Sequence, residues 1–229
     1  MGASESERCK VRVGAEETDA LYERARAEPA RGVLVLGHGA GGSMEYRNLA
    51  REAAIFRQLG LGVARFNFLY RAAGRKYPDK MPLLMECYRA VVESVRERCG
   101  AQQAAPLRTY LGGHSMGGRV ATMLAAEGYA CDGLILMAYP LHPPGKFDAL
   151  RAEHLARITV PVLCFNGTRD DFARRDLMDA VVAKLPRTWT QHWIEHADHS
   201  FAVRKKDGRT PAEVDAEVRE AALLWLRAP

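Results

Sequence analysis

Tyr110-Leu111-Gly112-Gly113-His114-Ser115-Met116-Gly117-Gly118-Arg119 joins a short apolar run to a helical pattern with almost no spacer. The run Arg108–Leu111 predicts a strand, and Gly117–Glu127 predicts a helix. A chain that turns from strand to helix this sharply forces the middle residue into a strained backbone conformation. Gly113 and Gly117, two residues to either side of Ser115, remove the Cβ atoms that would collide in such a turn. Ser115 is thereby presented above the carboxyl end of a strand, beside the positive end of the following helix. A hydroxyl held there is a candidate nucleophile.

Outward from this turn the same alternation recurs. Gly32–Leu36 predicts a strand, Tyr46–Leu59 a helix, Gly62–Phe66 a strand and Leu83–Cys99 a helix. Beyond the turn come strands Gly133–Ala138 and Val160–Asn166, helix Asp176–Leu185 closed by Pro186, and strand Thr188–Ile194. Thr210-Pro211-Ala212-Glu213 is a capping box with proline at the first helical position, opening a last helix with Val214, Val218, Ala222 and Trp225 inward. Lys10–Val13 and Asp19–Glu23 predict a short antiparallel start. Continuously apolar strands separated by helices imply an α/β fold: one domain over residues 1–229, its sheet mostly parallel and covered by helices on both faces. Loops at the carboxyl ends of the strands are then the place for a site.

Composition narrows the function classes. Hydrophobic residues make 48% and charged residues 27% of the 229, which suits a globular chain with a substantial core and excludes a disordered one. No apolar run reaches membrane-spanning length, and the polar start Met1–Lys10 lacks the apolar core of an export signal, so a cytoplasmic protein that engages no membrane is expected. The net charge of +5 comes from interleaved acids and bases with no like-charge block, so no nucleic-acid partner is expected. Cys9, Cys87, Cys99, Cys131 and Cys164 contain no CxxC pair, which predicts reduced thiols and no metal site.

A serine hydroxyl needs a base, and the base needs an orienting acid. Asp170 and Asp171 follow the strand ending at Asn166; His196 and His199 follow the strand ending at Ile194. Asp148, on another loop, is a more distant acid. Attack on a carbonyl also needs donors for the oxyanion. The amide of Met116 and that of Ala40, in the turn His38–Gly42 after the first parallel strand, are the expected pair, with His38 bracing that turn. The same turn spells Gly37-x-Gly39-x-x-Gly42, a dinucleotide fingerprint, yet the next strand ends Arg65-Phe66-Asn67-Phe68 without the acid that fingerprint requires; Arg65 would suit a 2′-phosphate instead. Arg71, Tyr70 and His142 lie on carboxyl-end loops and are candidate substrate contacts, the alternatives being solvated charge or a brace to Asp79 for Arg71, and apolar packing or loop bracing for Tyr70 and His142.

Gly113-His114-Ser115-Met116-Gly117-Gly118 resembles the nucleophile elbow of the α/β-hydrolase superfamily. Phe66–Asp79 and Tyr139–Lys146 resemble one branch of it, so that the likeness covers nearly the whole chain. That branch holds small hydrolases related to dienelactone hydrolase, a testis-expressed protein and a subunit of a histone-acetyltransferase complex. The resemblance implies a single-domain α/β-hydrolase fold and a Ser–Asp–His order along the chain, with Gly167-Thr168-Arg169-Asp170 matching at Asp170 and Asp198-His199-Ser200-Phe201 at His199. It implies a serine hydrolase that needs no cofactor or metal and cleaves a small carboxylic ester or thioester through an acyl-enzyme. Dienelactone hydrolase uses a cysteine where this chain has Ser115, so its substrate does not carry over. The chromatin-complex member implies an alternative, a non-catalytic scaffold on the same fold. A minimal lid or none is expected, because Tyr139–Thr159 carries Pro140, Pro143 and Pro144 and only Phe147–Arg157 has room for a helix, of about three turns.

Overall fold

The computed structural model describes residues 6–27, 30–100 and 107–228, so the first half of the polar start lies outside them. Among the described residues eight strands form one sheet: β1 (Ser6–Val13), β2 (Glu16–Glu23), β3 (Gly32–Gly37), β4 (Leu61–Phe66), β5 (Thr109–His114), β6 (Gly133–Met137), β7 (Val162–Gly167) and β8 (Trp189–Ile194). Their order is β1-β2-β4-β3-β5-β6-β7-β8, with β1 and β2 antiparallel and β3 to β8 parallel. The antiparallel start is longer than its sequence pattern suggests, pairing Ser6 with Glu23 through to Val13 with Glu16.

Side chains alternate across the parallel strands and so build two cores. Val33 and Val35 pack with α3 (Met81–Gly100) and α4 (Met116–Ala126), through Leu84, Tyr88, Val91, Val120 and Leu124. Leu34 and Leu36 pack with α1 (Arg47–Gln58) and α6 (Pro211–Arg227), through Leu49, Phe56, Val214, Val218 and Ala222. Both faces are thus covered, which is why β3 and β6 read as unbroken apolar runs. Trp225 is not fully inward: it is half-buried at the sheet's lower edge against Tyr110, 5.9 Å between ring centroids, and Leu226 takes the core position. The capping box at Thr210 forms as its sequence indicates, with the Glu213 amide donating to Thr210 Oγ1 and the Thr210 amide to Glu213 Oε2.

Two segments depart from their sequence patterns. Leu69–Ala72 forms a helix of one turn, α2, too short for any periodicity to reveal. Phe147–Arg157 forms no three-turn helix but only a 3-10 turn at Leu155–Arg157. The segment is instead tied to its own beginning, the Arg151 amide donating to the Leu141 carbonyl at 2.7 Å and the Tyr139 hydroxyl to the Arg151 carbonyl at 2.6 Å. A strand order that reverses at β3 and β5 leaves a crevice above the carboxyl ends of those two strands. The turn after β3 and Ser115 after β5 meet there.

Candidate active site

Ser115 has φ 52° and ψ −114°, a strained conformation for a residue with a side chain, and its amide donates to the Met137 carbonyl at 2.8 Å. The glycines around it are required by a close approach rather than by flexibility. A Cβ on Gly117 would lie 2.0 Å from the Gly37 carbonyl oxygen, and one on Gly113 2.3 Å from the same atom. Backbone contact between the start of α4 and the end of β3 therefore sets the turn.

His199 stands over this turn, its Nε2 2.9 Å from Ser115 Oγ. Its Nδ1 lies 2.9 and 2.8 Å from the two carboxylate oxygens of Asp170, whose side chain is fully covered. Asp170 is held in turn by the Phe172 amide at 2.8 Å and by Asn166 Nδ2 at 3.5 Å. Donating Nδ1–H to the carboxylate leaves Nε2 as the acceptor facing the hydroxyl, the tautomer a general base requires. Phe172 stacks on the His199 ring, 4.3 Å between centroids at 31°. Asp171, Asp148 and His196 are exposed and take no part in this row. His196 turns away with φ 63°, its amide bound to Thr168 Oγ1.

A cleft of about 290 Å³ opens beside Ser115 and His199. Its walls are the glycine turn His38–Gly42 with Tyr46, Leu49, His114, Phe172 and Ser200, so no Lys, Arg, Asp or Glu side chain lines it. Ala40 belongs to this wall, and Met116 opens α4, where the first amides of a helix have no partner within it. His38 braces the turn, donating Nδ1–H to the Gly39 carbonyl at 2.7 Å and accepting the Phe68 amide at Nε2 at 3.2 Å.

The three candidate contacts divide. Tyr70 is buried, its hydroxyl donating to the Ala40 carbonyl at 2.8 Å and its amide to Asp79 at 2.9 Å, so it supports the turn from behind instead of lining the cleft. Burial pushes its phenol up to about 12. His142 is buried too, with Nδ1 on the Pro143 carbonyl and Nε2 accepting the Arg174 amide, which spends both nitrogens on its loop. Arg71 is exposed on α2, outside the cleft wall, and has no ion-pair partner among the described residues; Arg75 is paired with Asp79. The dinucleotide reading fails on packing as well. Arg65 is buried and committed to Glu23 at 2.9 Å, and α1 opens five residues after Gly42 rather than within the glycine motif. Among the described residues no three His, Cys, Asp or Glu side chains gather as a metal site needs, and no helix is long and apolar enough to cross a membrane.

Sequence reading missed Phe172 and a buried pair, His114 with Glu52. Glu52 was visible as an acid on the apolar stripe Leu49, Ala53, Phe56 of α1, a placement that signals a buried partner.

Two further histidines are held neutral. Burial lowers His38 to about 4 against the bond to Gly39, with Arg71 nearby adding to the effect. Burial, then Arg119 and Arg157, lowers His154 to about 4, where its Nε2 meets Thr122 Oγ1 at 2.8 Å. Unfolded histidines take up a proton near pH 6.5, whereas these refuse it until about pH 4, so the unfolded state binds more protons across that window. Stability is therefore expected to be full above about pH 6.5 and to fall on acidification by about 2 kcal/mol per histidine at pH 5. Urea unfolding at pH 7 and pH 5 checks this: His154→Gln should lose less stability between the two than the parent, and an equal loss would mean that His154 is not the sensor.

A family model described as an alpha/beta hydrolase domain matches residues 30–227. Solved structures similar to this chain include an alpha-beta serine hydrolase homologue from Coxiella burnetii, at 19% identity over 100% of both chains with a TM-score of 0.77. An α/β serine hydrolase without lid from Xanthomonas campestris matches at 20% identity over 100% of this chain and 99% of its own, with a TM-score of 0.75. A dienelactone hydrolase from Anabaena variabilis matches at 18% identity over 97% of both chains, with a TM-score of 0.71.

Proposed function

The chain belongs to the alpha/beta hydrolase domain family, and on that footing we propose that it is a serine hydrolase cleaving a small, uncharged carboxylic ester or thioester without a cofactor. The observation that carries this reading is the unbroken row Ser115 Oγ, His199 and Asp170, with contacts of 2.9 and 2.8 Å, erected on a strained serine. In the proposed cycle His199 Nε2 takes the Ser115 proton as Oγ attacks the carbonyl carbon, and the amides of Ala40 and Met116 receive the oxyanion. His199 then protonates the leaving alcohol or thiol, leaving an acyl-Ser115. Water, deprotonated by the same nitrogen, releases the acid and restores the hydroxyl. Asp170 keeps the imidazole in the required tautomer and balances its transient charge. A fluorophosphonate probe should label wild-type protein at Ser115 and leave Ser115→Ala unlabelled; wild-type protein that resists the probe would count against the whole cycle.

The cleft supports the substrate class. Its wall offers Tyr46, Leu49 and Phe172 but no lysine or arginine, which favours a neutral acyl group. The 138–161 segment adds only a 3-10 turn, so no helical roof extends the apolar surface for a long chain. Each methylene that stays wet forfeits about 0.8 kcal/mol. Over p-nitrophenyl esters from acetate to palmitate, kcat/KM is expected to peak among the shortest members, with no jump in rate at the micellar threshold. A maximum at long chains would require an apolar cover that this segment does not supply.

A further inference from the structure

A base must be held in one orientation, and Asp170 grips only one edge of His199. His114, the last residue of β5, is buried beside it, the two rings edge to face with 5.4 Å between centroids. His114 Nδ1 lies 2.7 Å from Oε1 of Glu52, a buried acid 62 residues away on α1. The main-chain carbonyl of His199 faces the same ring. Carboxylate and carbonyl can only accept. A neutral imidazole has one N–H and satisfies one of them, whereas an imidazolium satisfies both.

We propose that His114 and Glu52 form a carboxylate–imidazolium pair that positions His199, His114 donating to Glu52 through one nitrogen and to the His199 carbonyl through the other. The base is then clamped by its main chain as well as by Asp170. This role rests on the hydrolase reading above; the charge state of the pair does not. Burial, the largest single effect, opposes a charge on His114; the charge and hydrogen bond of Glu52 together with Asp170 and the His199 carbonyl outweigh it, so the imidazole is raised above its ordinary value. The groups facing it are Glu52 from α1, Asp170 from the loop after β7 and His199 from the loop after β8. Asp215 of α6 lines the small cavity under Glu52 but is engaged by Arg51. That cavity, about 10 Å³, has room for about one water, and Glu52 Oε2 is buried with no protein partner. Ser200 and Phe201, next to His199, share its wall, so the carboxylate is built into the loop that carries the base.

A folded-state value raised above the ordinary one means that the pair's contribution is complete below about pH 6.5 and is lost as pH climbs through the raised value. An alkaline loss of turnover follows. The test is ¹⁵N-histidine NMR of the full chain, with His114 assigned through His114→Gln, together with kcat and KM against pH. At about pH 7.5 His114 in the parent protein should carry protons on both nitrogens, and in Glu52→Gln it should be neutral. In Glu52→Gln, kcat should fall about tenfold with KM little changed, and the alkaline limb should vanish. A neutral His114 in the parent protein overturns the proposal whether or not the variant folds. So does a folded Glu52→Gln with the kcat and pH profile of an active parent. A parent inert to esters and to fluorophosphonate would instead sink the hydrolase reading, and with it the positioning role, while the NMR result would still decide the pair.

Discussion

Ser115→Ala is expected to lower ester turnover by about 10⁴-fold or more while the protein stays folded. Both parts follow from the geometry of one turn. Among the described residues the hydroxyl has one partner, His199 Nε2 at 2.9 Å, and the turn itself is held by other atoms, among them the Ser115 amide on the Met137 carbonyl. Alanine keeps the Cβ, so the cost of φ 52° is the same before and after the change. What disappears is the oxygen that would form the acyl bond. The turn and the proposed oxyanion donors survive, so a residual rate above that in water is expected. Parallel measurements of kcat/KM and of the thermal midpoint check both halves; near-normal turnover by folded Ser115→Ala protein would falsify the proposed cycle.

Asp170→Asn should cost about as much, on the order of 10⁴-fold in kcat, although only one atom type changes. The parent carboxylate accepts from His199 Nδ1 at 2.8 and 2.9 Å, from the Phe172 amide and from Asn166. An asparagine carbonyl can keep the Phe172 bond, which points its NH₂ toward His199. Nδ1 must then accept, the ring proton moves to Nε2, and the nitrogen facing Ser115 can no longer take a proton. His199→Gln should fail similarly. Asp171→Asn and His196→Gln, altering exposed side chains outside the row, should stay within about twofold. Loss of activity in Asp171→Asn or His196→Gln, with survival of Asp170→Asn or His199→Gln, would mean that the row is not the one at work.

How much of this was legible in the chain depended on the range of the interactions. Gly113 and Gly117, two places to either side of Ser115, declare the turn in the sequence, although the clash that each avoids is with the Gly37 carbonyl of the neighbouring strand. Apolar strands alternating with amphipathic helices declare the sheet, because a strand covered on both faces must be apolar throughout. Spacing by itself left Asp170 beside Asp171 and His199 beside His196, since each pair occupies one loop; resemblance of the surrounding residues to a known family was needed to prefer one of each.

Packing decided the remainder. Tyr70 and His142 lie on carboxyl-end loops, and nothing in a linear reading tells that both turn inward, because their partners Ala40 and Arg174 are about 30 residues away in the chain. Phe147–Arg157 has the composition for a helix, yet hydrogen bonds back to Tyr139 and Leu141 hold it in turns. The pair of His114 and Glu52 is the extreme case. Local sequence marked the elbow because a strand that passes to a helix this sharply forces the residue between them into a strained conformation. Only the closed tertiary structure could bring an acid on α1 to a histidine on β5, because the desolvation that makes the pairing obligatory does not exist until α1 is laid against the sheet.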